Sequence, residues 1–489
     1  MTAYQDAMAH ARQTEALAQI AGRLGWDQQT MMPRGANAQR SEEMAALEAV
    51  LHARRTDPRY GAWLQEAQAP DDVGAANLRE MRRDYARNTR VPARLAAELA
   101  RLTPLSHSAW EEARLADDVA AFLPWLRQMI ALRREEGQAI ANGGDPYDAL
   151  MADYEPGTDS GTVAATFDRM RPRLVALREA VLGADSPPAL TGHFPQEGQL
   201  RVSRRLAEHF GYDFTRGRID LAVHPFSSGS GHDVRITTRV AVEEPFNCFY
   251  STIHETGHAA YEQGVDPAFA LTPIGRGVSM GVHESQSRIY ENQLGRSRAF
   301  TGWLHEAMAQ EFGALSVSSA EAFYAAVNRV NTGFIRTEAD EIQYNLHIML
   351  RFDLERALMR GALEAEDIEE AWNTRFALDF GYEVDKPSNG ILQDVHWSIG
   401  LFGYFPTYAL GNVYAGCLHT ALRADIPDLD AHLAAGDTRP ATLWLRDRLQ
   451  RHGALRPPRD TIALACGFSP DEGPLMTYLE DKFGGLYRL

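Results

Sequence analysis

His254-Glu255-Thr256-Gly257-His258 places two imidazoles and a carboxylate within five residues, inside the apolar run Phe246 to Tyr261. On a helix, residues i and i+4 share one face with Cβ atoms about 6 Å apart, so both imidazoles can reach one divalent ion. Glu255 lies about 100° round the helix axis from His254, close enough to address a water at such an ion without ligating it. That is the chemistry of metal-assisted hydrolysis. A hydrolytic zinc site needs three protein ligands and one open position, and the third should come from another helix because His254 and His258 fill one face. Glu284, in His283-Glu284-Ser285-Gln286, follows His258 by 26 residues, enough for a turn and a second helix. Glu262, at i+4 from His258, and His283, which would make a three-histidine site, are the alternatives that spacing leaves open.

The elements that must carry these residues are mostly helical. Gly264 supplies an end signal for the helix bearing the two histidines. Residues 1 to about 140 are rich in Ala, Leu, Arg and Glu after an interruption at Met31-Met32-Pro33-Arg34-Gly35, and read as successive amphipathic helices. A loop is expected at Asn142-Gly143-Gly144-Asp145-Pro146, and a further helix from about Val163 to Leu182, stopped by Asp185-Ser186-Pro187-Pro188. Between about Arg218 and Val242 the period changes to two. Ile219, Leu221 and Val223 alternate with polar or small neighbours, as do Val234, Ile236, Thr238 and Val240, which predicts two short strands joined as a hairpin by the Ser227–Gly231 loop. No flexible linker interrupts the 489 residues, so one continuous domain over 1–489 is expected.

Composition narrows the partners. With 45% hydrophobic and 24% charged residues the chain can bury a large core. The 49 basic and 66 acidic residues give a net charge of −17, which repels nucleic acid and anionic lipid. Three cysteines, Cys248, Cys417 and Cys466, without C-x-x-C spacing suit a reducing compartment, and Asp6, His10 and Arg12 interrupt any apolar secretory segment, so a cytoplasmic location is expected. Val395 to Leu422 holds no Asp, Glu, Lys or Arg across 28 residues. Length alone would permit a membrane span, but Pro406, Asn412, His396 and His419 predict a buried segment beside a cavity instead.

Five further motifs accompany the H-E-T-G-H helix. They are His224-Pro225-Phe226, Asp233-Val234-Arg235-Ile236-Thr237, His283-Glu284-Ser285-Gln286, Ile335-Arg336-Thr337-Glu338-Ala339-Asp340 and Gly390-Ile391-Leu392-Gln393-Asp394-Val395-His396-Trp397. Together, and with Trp26-Asp27-Gln28 and Met32-Pro33 near the N-terminus, they resemble the thermostable, or Taq-type, HEXXH metallocarboxypeptidases at every motif position. The resemblance implies a two-lobed, mostly α fold with a deep central groove, similar to neurolysin and angiotensin-converting enzymes. It also implies a homodimer, peptide substrates with a free C-terminus, and release of single amino acids with broad specificity. By the family pattern Glu284 is the third metal ligand. Zinc is the expected ion, and cobalt or manganese would suit the same donors.

Roles for the remaining residues follow from that reading. Glu255 takes a proton from water and returns it to the leaving amine. A C-terminal exopeptidase needs a cation for the substrate carboxylate; Arg336 is the first candidate from its motif position. Arg235 is the second, because strand alternation puts Asp233, Arg235 and Thr237 on one face; a structural ion pair is its competing role. Tyr408, by resemblance to related helical zinc peptidases, and His396 and Tyr404 are candidate donors to the developing oxyanion. His224 and Gln393 are expected to line the groove. An endo-oligopeptidase or dipeptidyl carboxypeptidase would use the same zinc chemistry, and a non-enzymatic peptide-binding protein with a structural zinc is the remaining alternative.

Overall fold

The computed structural model describes residues 2–489, which are mostly helical and include one three-stranded sheet. The chain divides into two compact units. The first runs to Thr89 and continues as Pro187–Asn328 and Tyr414–Pro470; the second comprises Arg90–Ser186, Arg329–Val413 and Asp471–Leu489.

In the first unit the H-E-T-G-H sequence lies on a helix spanning Pro245–Gly264, hereafter the motif helix. Its start is set by Pro245 in the first turn and by Glu244, whose carboxylate accepts from the Asn247 amide at 3.0 Å. It ends at Gly264, as the sequence predicts. Cys248, Phe249, Thr252, Ile253, Thr256, Ala259 and Tyr261 are all buried, covering most of its circumference, so this is an interior helix with little amphipathic contrast.

The sheet corrects one expectation. Its strands are β1 (Ile219–Leu221), β2 (Ser227–Ser230) and β3 (Asp233–Thr238), in the order β1-β3-β2. The expected hairpin loop at Ser227–Gly231 is largely a strand itself, pairing antiparallel with β3, while β1 pairs parallel with β3. Ser and Gly have low strand propensity, so periodicity could not register β2. Gly229 explains why the segment is tolerated: its φ is +102°, and a Cβ there would lie 1.9 Å from the Asp233 carbonyl oxygen. Val234 and Ile236, both fully buried, pack β3 against Ala207, Tyr212 and Ala259 of the motif helix. Each such side chain contributes about 1.5–3 kcal/mol on burial.

In the second unit the predicted helix near 163–182 spans Ser160–Gly183, and the Asn142–Pro146 segment is a turn with Asn142 at φ +49°. The helix Gln343–Met359 is buried almost all round and carries Arg351 and Glu355 into the interior, both 0% exposed. Glu355 accepts from Tyr147 Oη (2.9 Å), Trp397 Nε1 (2.8 Å) and the Gly403 amide (3.0 Å). These bonds fix the turn-rich stretch that precedes the helix Pro406–Asp425. The uncharged run is therefore interior, with His396, Trp397, Phe402 and Phe405 all buried. Burial raises the Glu355 carboxyl to about 7, against the lowering pull of Trp397, Gly403 and Tyr147. Among the described residues, no helix is long and apolar enough to cross a membrane.

Candidate metal centre

His254 and His258 lie one turn apart on the motif helix and meet edge to face, with ring centroids 4.9 Å apart. Both turn Nε2 toward one oxygen: Glu284 Oε2 lies 3.8 Å from His254 Nε2 and 3.4 Å from His258 Nε2. Ligand atoms of the three residues fall within 4.8 Å of one another. Glu284 rides on the helix Met280–Arg288, which starts at Ser279, whose hydroxyl accepts from the Val282 amide at 3.1 Å.

Gly257 sets the spacing of the two helices. A Cβ there would lie 2.5 Å from the Gln286 carbonyl oxygen and 2.6 Å from Ser287 Cα, both backbone atoms of the helix that carries Glu284. The Gly257→Ala substitution is expected to push that helix away, costing about 1–3 kcal/mol from overpacking. It also withdraws Glu284 from the histidines. Denaturant titration of the apoprotein and metal competition against a chelator would report the two losses; parental values in both would show that the helices can separate freely.

Hydrogen bonds behind the ligands orient them. His254 Nδ1 lies 2.9 Å from Glu291 Oε2, which also accepts from Arg288 (3.3 Å), while Glu291 Oε1 accepts from Arg296 at 3.2 Å. Glu291 belongs to a π-helical turn, Ile289–Gly295, whose wider winding follows directly on the Glu284 helix. His258 Nδ1 lies 2.7 Å from His283 Nδ1, and His283 Nε2 lies 3.0 Å from Glu262 Oε1. The two alternative ligands, His283 and Glu262, thus stand behind His258, on its far ring nitrogen. Glu284 itself is held by Arg288 Nε at 2.6 Å and by Ser287 Oγ at 3.1 Å.

Glu284 and His258 stand in the protonation states that a cation needs. Burial opposes ionisation of Glu284, but the Arg288 guanidinium and then His254 and His258 outweigh it and hold the carboxyl well below the usual range. Burial lowers His258 to about 3 against the pull of Glu284, leaving a neutral imidazole. Burial disfavours protonated His254 as well, yet Glu284 and the hydrogen bond to Glu291 raise it. Glu255, 6% exposed, is lifted by burial to about 7, with His254 opposing and Glu284 and Glu291 adding to the rise. Two imidazoles and one carboxylate fit a four-coordinate divalent ion with one position left for water.

Other sequence-predicted residues of the first unit lie around the sheet. Arg235 pairs with Asp233 at 2.7 and 3.0 Å and lies 4.3 Å over the Trp26 ring. Asp233 also accepts from Arg23 at 2.8 Å, so the pair ties β3 to the helix Ala3–Thr30, the structural role that competed with substrate binding. The Thr237 hydroxyl bonds the Phe226 backbone in both directions, at 2.8 and 3.1 Å, and His224 is exposed.

In the second unit Arg336 is 5% exposed and donates to Asp394 Oδ1 through Nε (3.0 Å) and NH2 (2.9 Å), and through NH1 to Tyr344 Oη at 3.2 Å. Arg351 Nε donates to the other oxygen, Asp394 Oδ2, at 2.6 Å. Gln393 is a backbone strut: its oxygen accepts from the Arg336 amide at 2.9 Å and its amide donates to the Phe334 and Asn389 carbonyls. His396 Nε2 lies 3.2 Å from Tyr408 Oη, and the Tyr404 and Tyr408 rings meet edge-on at 5.2 Å. Burial, and then the Arg336 charge, lowers His396 to about 3, so it is neutral.

Sequence reasoning assigned no role to Asp394, Arg351 or Glu291. Asp394 had a visible signal, as the acid immediately before the long uncharged run; Glu291 had none, because its approach depends on the π turn.

His254, His258 and Glu284 form a mixed imidazole–carboxylate group that could hold a divalent ion, with the buried carboxylate of Glu255 next to it, a donor set of the kind metallohydrolases use. The family model described as Carboxypeptidase Taq (M32) metallopeptidase matches residues 6–483. The chain is 41% identical to Thermostable carboxypeptidase 1 of Thermus thermophilus, with 99% of each covered, and 34% identical to Carboxypeptidase 1 of Bacillus subtilis, with 95% of each covered. Among solved structures it resembles the M32 carboxypeptidase of Deinococcus radiodurans at TM-score 0.96 and 39% identity, over 100% of both chains. This chain belongs to the Taq (M32) metallocarboxypeptidase family and is a peptide hydrolase.

Proposed function

We propose that the chain is a zinc carboxypeptidase that removes single residues from the free C-termini of peptides, with broad specificity. The observation that carries this reading is the convergence of His254 and His258 Nε2 on Glu284 Oε2, with Glu255 buried beside them. A divalent ion held there supplies Lewis acidity, polarising the scissile carbonyl and acidifying water. Glu255 accepts the proton of the attacking water at its carboxylate and delivers it to the departing amine.

Arg336 is the proposed partner of the substrate's C-terminal carboxylate. Arg336, Arg351 and Asp394 carry two positive charges against one negative, so this buried cluster keeps a surplus cation in a chain of net charge −17. Tyr408 and neutral His396 are the proposed donors to the developing oxyanion. Arg235, Asp233, Thr237, His224, Gln393 and Tyr404 are proposed to bound the substrate path. Zinc as the resident ion, homodimerisation and a cytoplasmic location belong to the same proposal.

Time-resolved mass spectrometry of matched peptides with free and amidated C-termini tests the reading. Losing charge-assisted hydrogen bonds worth about 1.5–3 kcal/mol should slow the amide about 10- to 100-fold. Equal cleavage of both, or release of dipeptides or internal fragments, would replace it with an endopeptidase or dipeptidyl carboxypeptidase.

A further inference from the structure

His258 can ligate through Nε2 only if its proton sits on Nδ1, and the residues behind it decide that. Glu262 Oε1 accepts from the Gly277 amide at 2.9 Å and lies 3.0 Å from His283 Nε2. The carboxylate oxygen accepts, so His283 Nε2 carries the hydrogen and, in a neutral imidazole, its Nδ1 is left as an acceptor. At 2.7 Å from that acceptor, His258 Nδ1 must then be the donor. With His283 neutral, one arrangement of protons satisfies both contacts, and it leaves the His258 Nε2 lone pair facing Glu284. The reverse tautomer would put a hydrogen on Nε2 and block it as a ligand.

Geometry couples this chain of bonds to the site. Glu262 is one turn beyond His258 on the motif helix, and His283 is the residue before Glu284, so the helix that delivers the third ligand also delivers the middle of the relay. Glu262 is 7% exposed, and its second oxygen, Oε2, is buried without a hydrogen-bond partner.

We propose that His283 and Glu262 are positioning residues that fix His258 in its Nε2-ligating tautomer and strengthen it as a donor, so that metal affinity depends on two side chains that touch no metal. This rests on the reading that His254, His258 and Glu284 hold the ion. The test is competition for zinc between a chromophoric chelator and the full-length apoprotein, in the parent and in His283→Phe, Glu262→Gln and His258→Ala. His283→Phe keeps a ring but loses both nitrogens, and should weaken zinc binding about 10- to 100-fold. Glu262→Gln keeps the Oε1 acceptor and loses the charge, so its loss should be smaller but resolvable, with kcat falling more than KM rises. Parental zinc affinity in His283→Phe, while His258→Ala has lost at least about 100-fold, overturns the proposal. Parental affinity in His258→Ala overturns the metal-site reading instead. Should His283→Phe lose its apoprotein near-UV circular dichroism, Glu262→Gln decides: zinc affinity equal to the parent's refutes the relay.

Discussion

Glu255→Gln is expected to lower kcat by about 10²–10⁴-fold, the usual contribution of a positioned general base, while zinc stays bound at one per chain. The amide is nearly isosteric with the carboxylate but cannot take a proton at neutral pH. Because Glu255 sits beside the ligand His254 and is not among the three converging donors, its loss should leave the donor set intact. KM for a free-ended peptide should change little, since Arg336 is the proposed partner of the substrate carboxylate. Steady-state kinetics paired with metal analysis checks this. Retained turnover would remove Glu255 from the mechanism, and loss of zinc would mean that the carboxylate helps to hold the ion.

Legibility of the site tracked how local its geometry is. The His254–His258 pair follows from helical periodicity alone, and the motif helix ends at Gly264 as read. Choosing Glu284 over His283 was beyond spacing and needed the family pattern, because the choice turns on which residue of the second helix faces inward. The structure brings Glu284 to the two histidines and turns His283 to the outer nitrogen of His258. Gly257, to which the motif assigns no role, is where the backbone of the Glu284 helix comes close, a tertiary fact no single-helix pattern encodes. The strand β2 was invisible for another reason: its Ser-Ser-Gly-Ser sequence carries neither alternation nor β-branched residues, and only pairing with β3 makes it a strand. In sequence Arg336 stands next to the acids Glu338, Asp340 and Glu341. Its true partner lies 58 residues on, at Asp394, brought there by the buried turn-rich stretch that Glu355 anchors.

That long-range pairing makes Asp394→Ala the most destabilising change expected in the second unit. Asp394 is the shared counter-ion of Arg336 and Arg351, whose side chains are 7% and 0% exposed. Removing it strands two guanidiniums in the interior, and breaking a buried pair typically costs about 3–5 kcal/mol. The pH dependence has a definite sign. Burial opposes the Asp394 charge, but Arg336 and then Arg351 outweigh it and hold the folded carboxyl far below the usual aspartate value. A depressed folded pKa contributes stability that is complete above the unfolded value of about 3.9 and is lost as pH falls through that value toward the folded one. Urea denaturation should therefore show a parental stability that declines below about pH 4, with part of the decline missing in Asp394→Asn. The same substitution removes the carboxylate oxygen that positions the Arg336 guanidinium, so KM for free-ended peptides should rise more than KM for amidated ones. A variant within about 1 kcal/mol of the parent would show that the arginines reach water or another acid; surface pairs contribute no more than that. The two buried arginines would then be paired elsewhere, and the surplus positive charge proposed to receive the substrate carboxylate would no longer follow from this cluster.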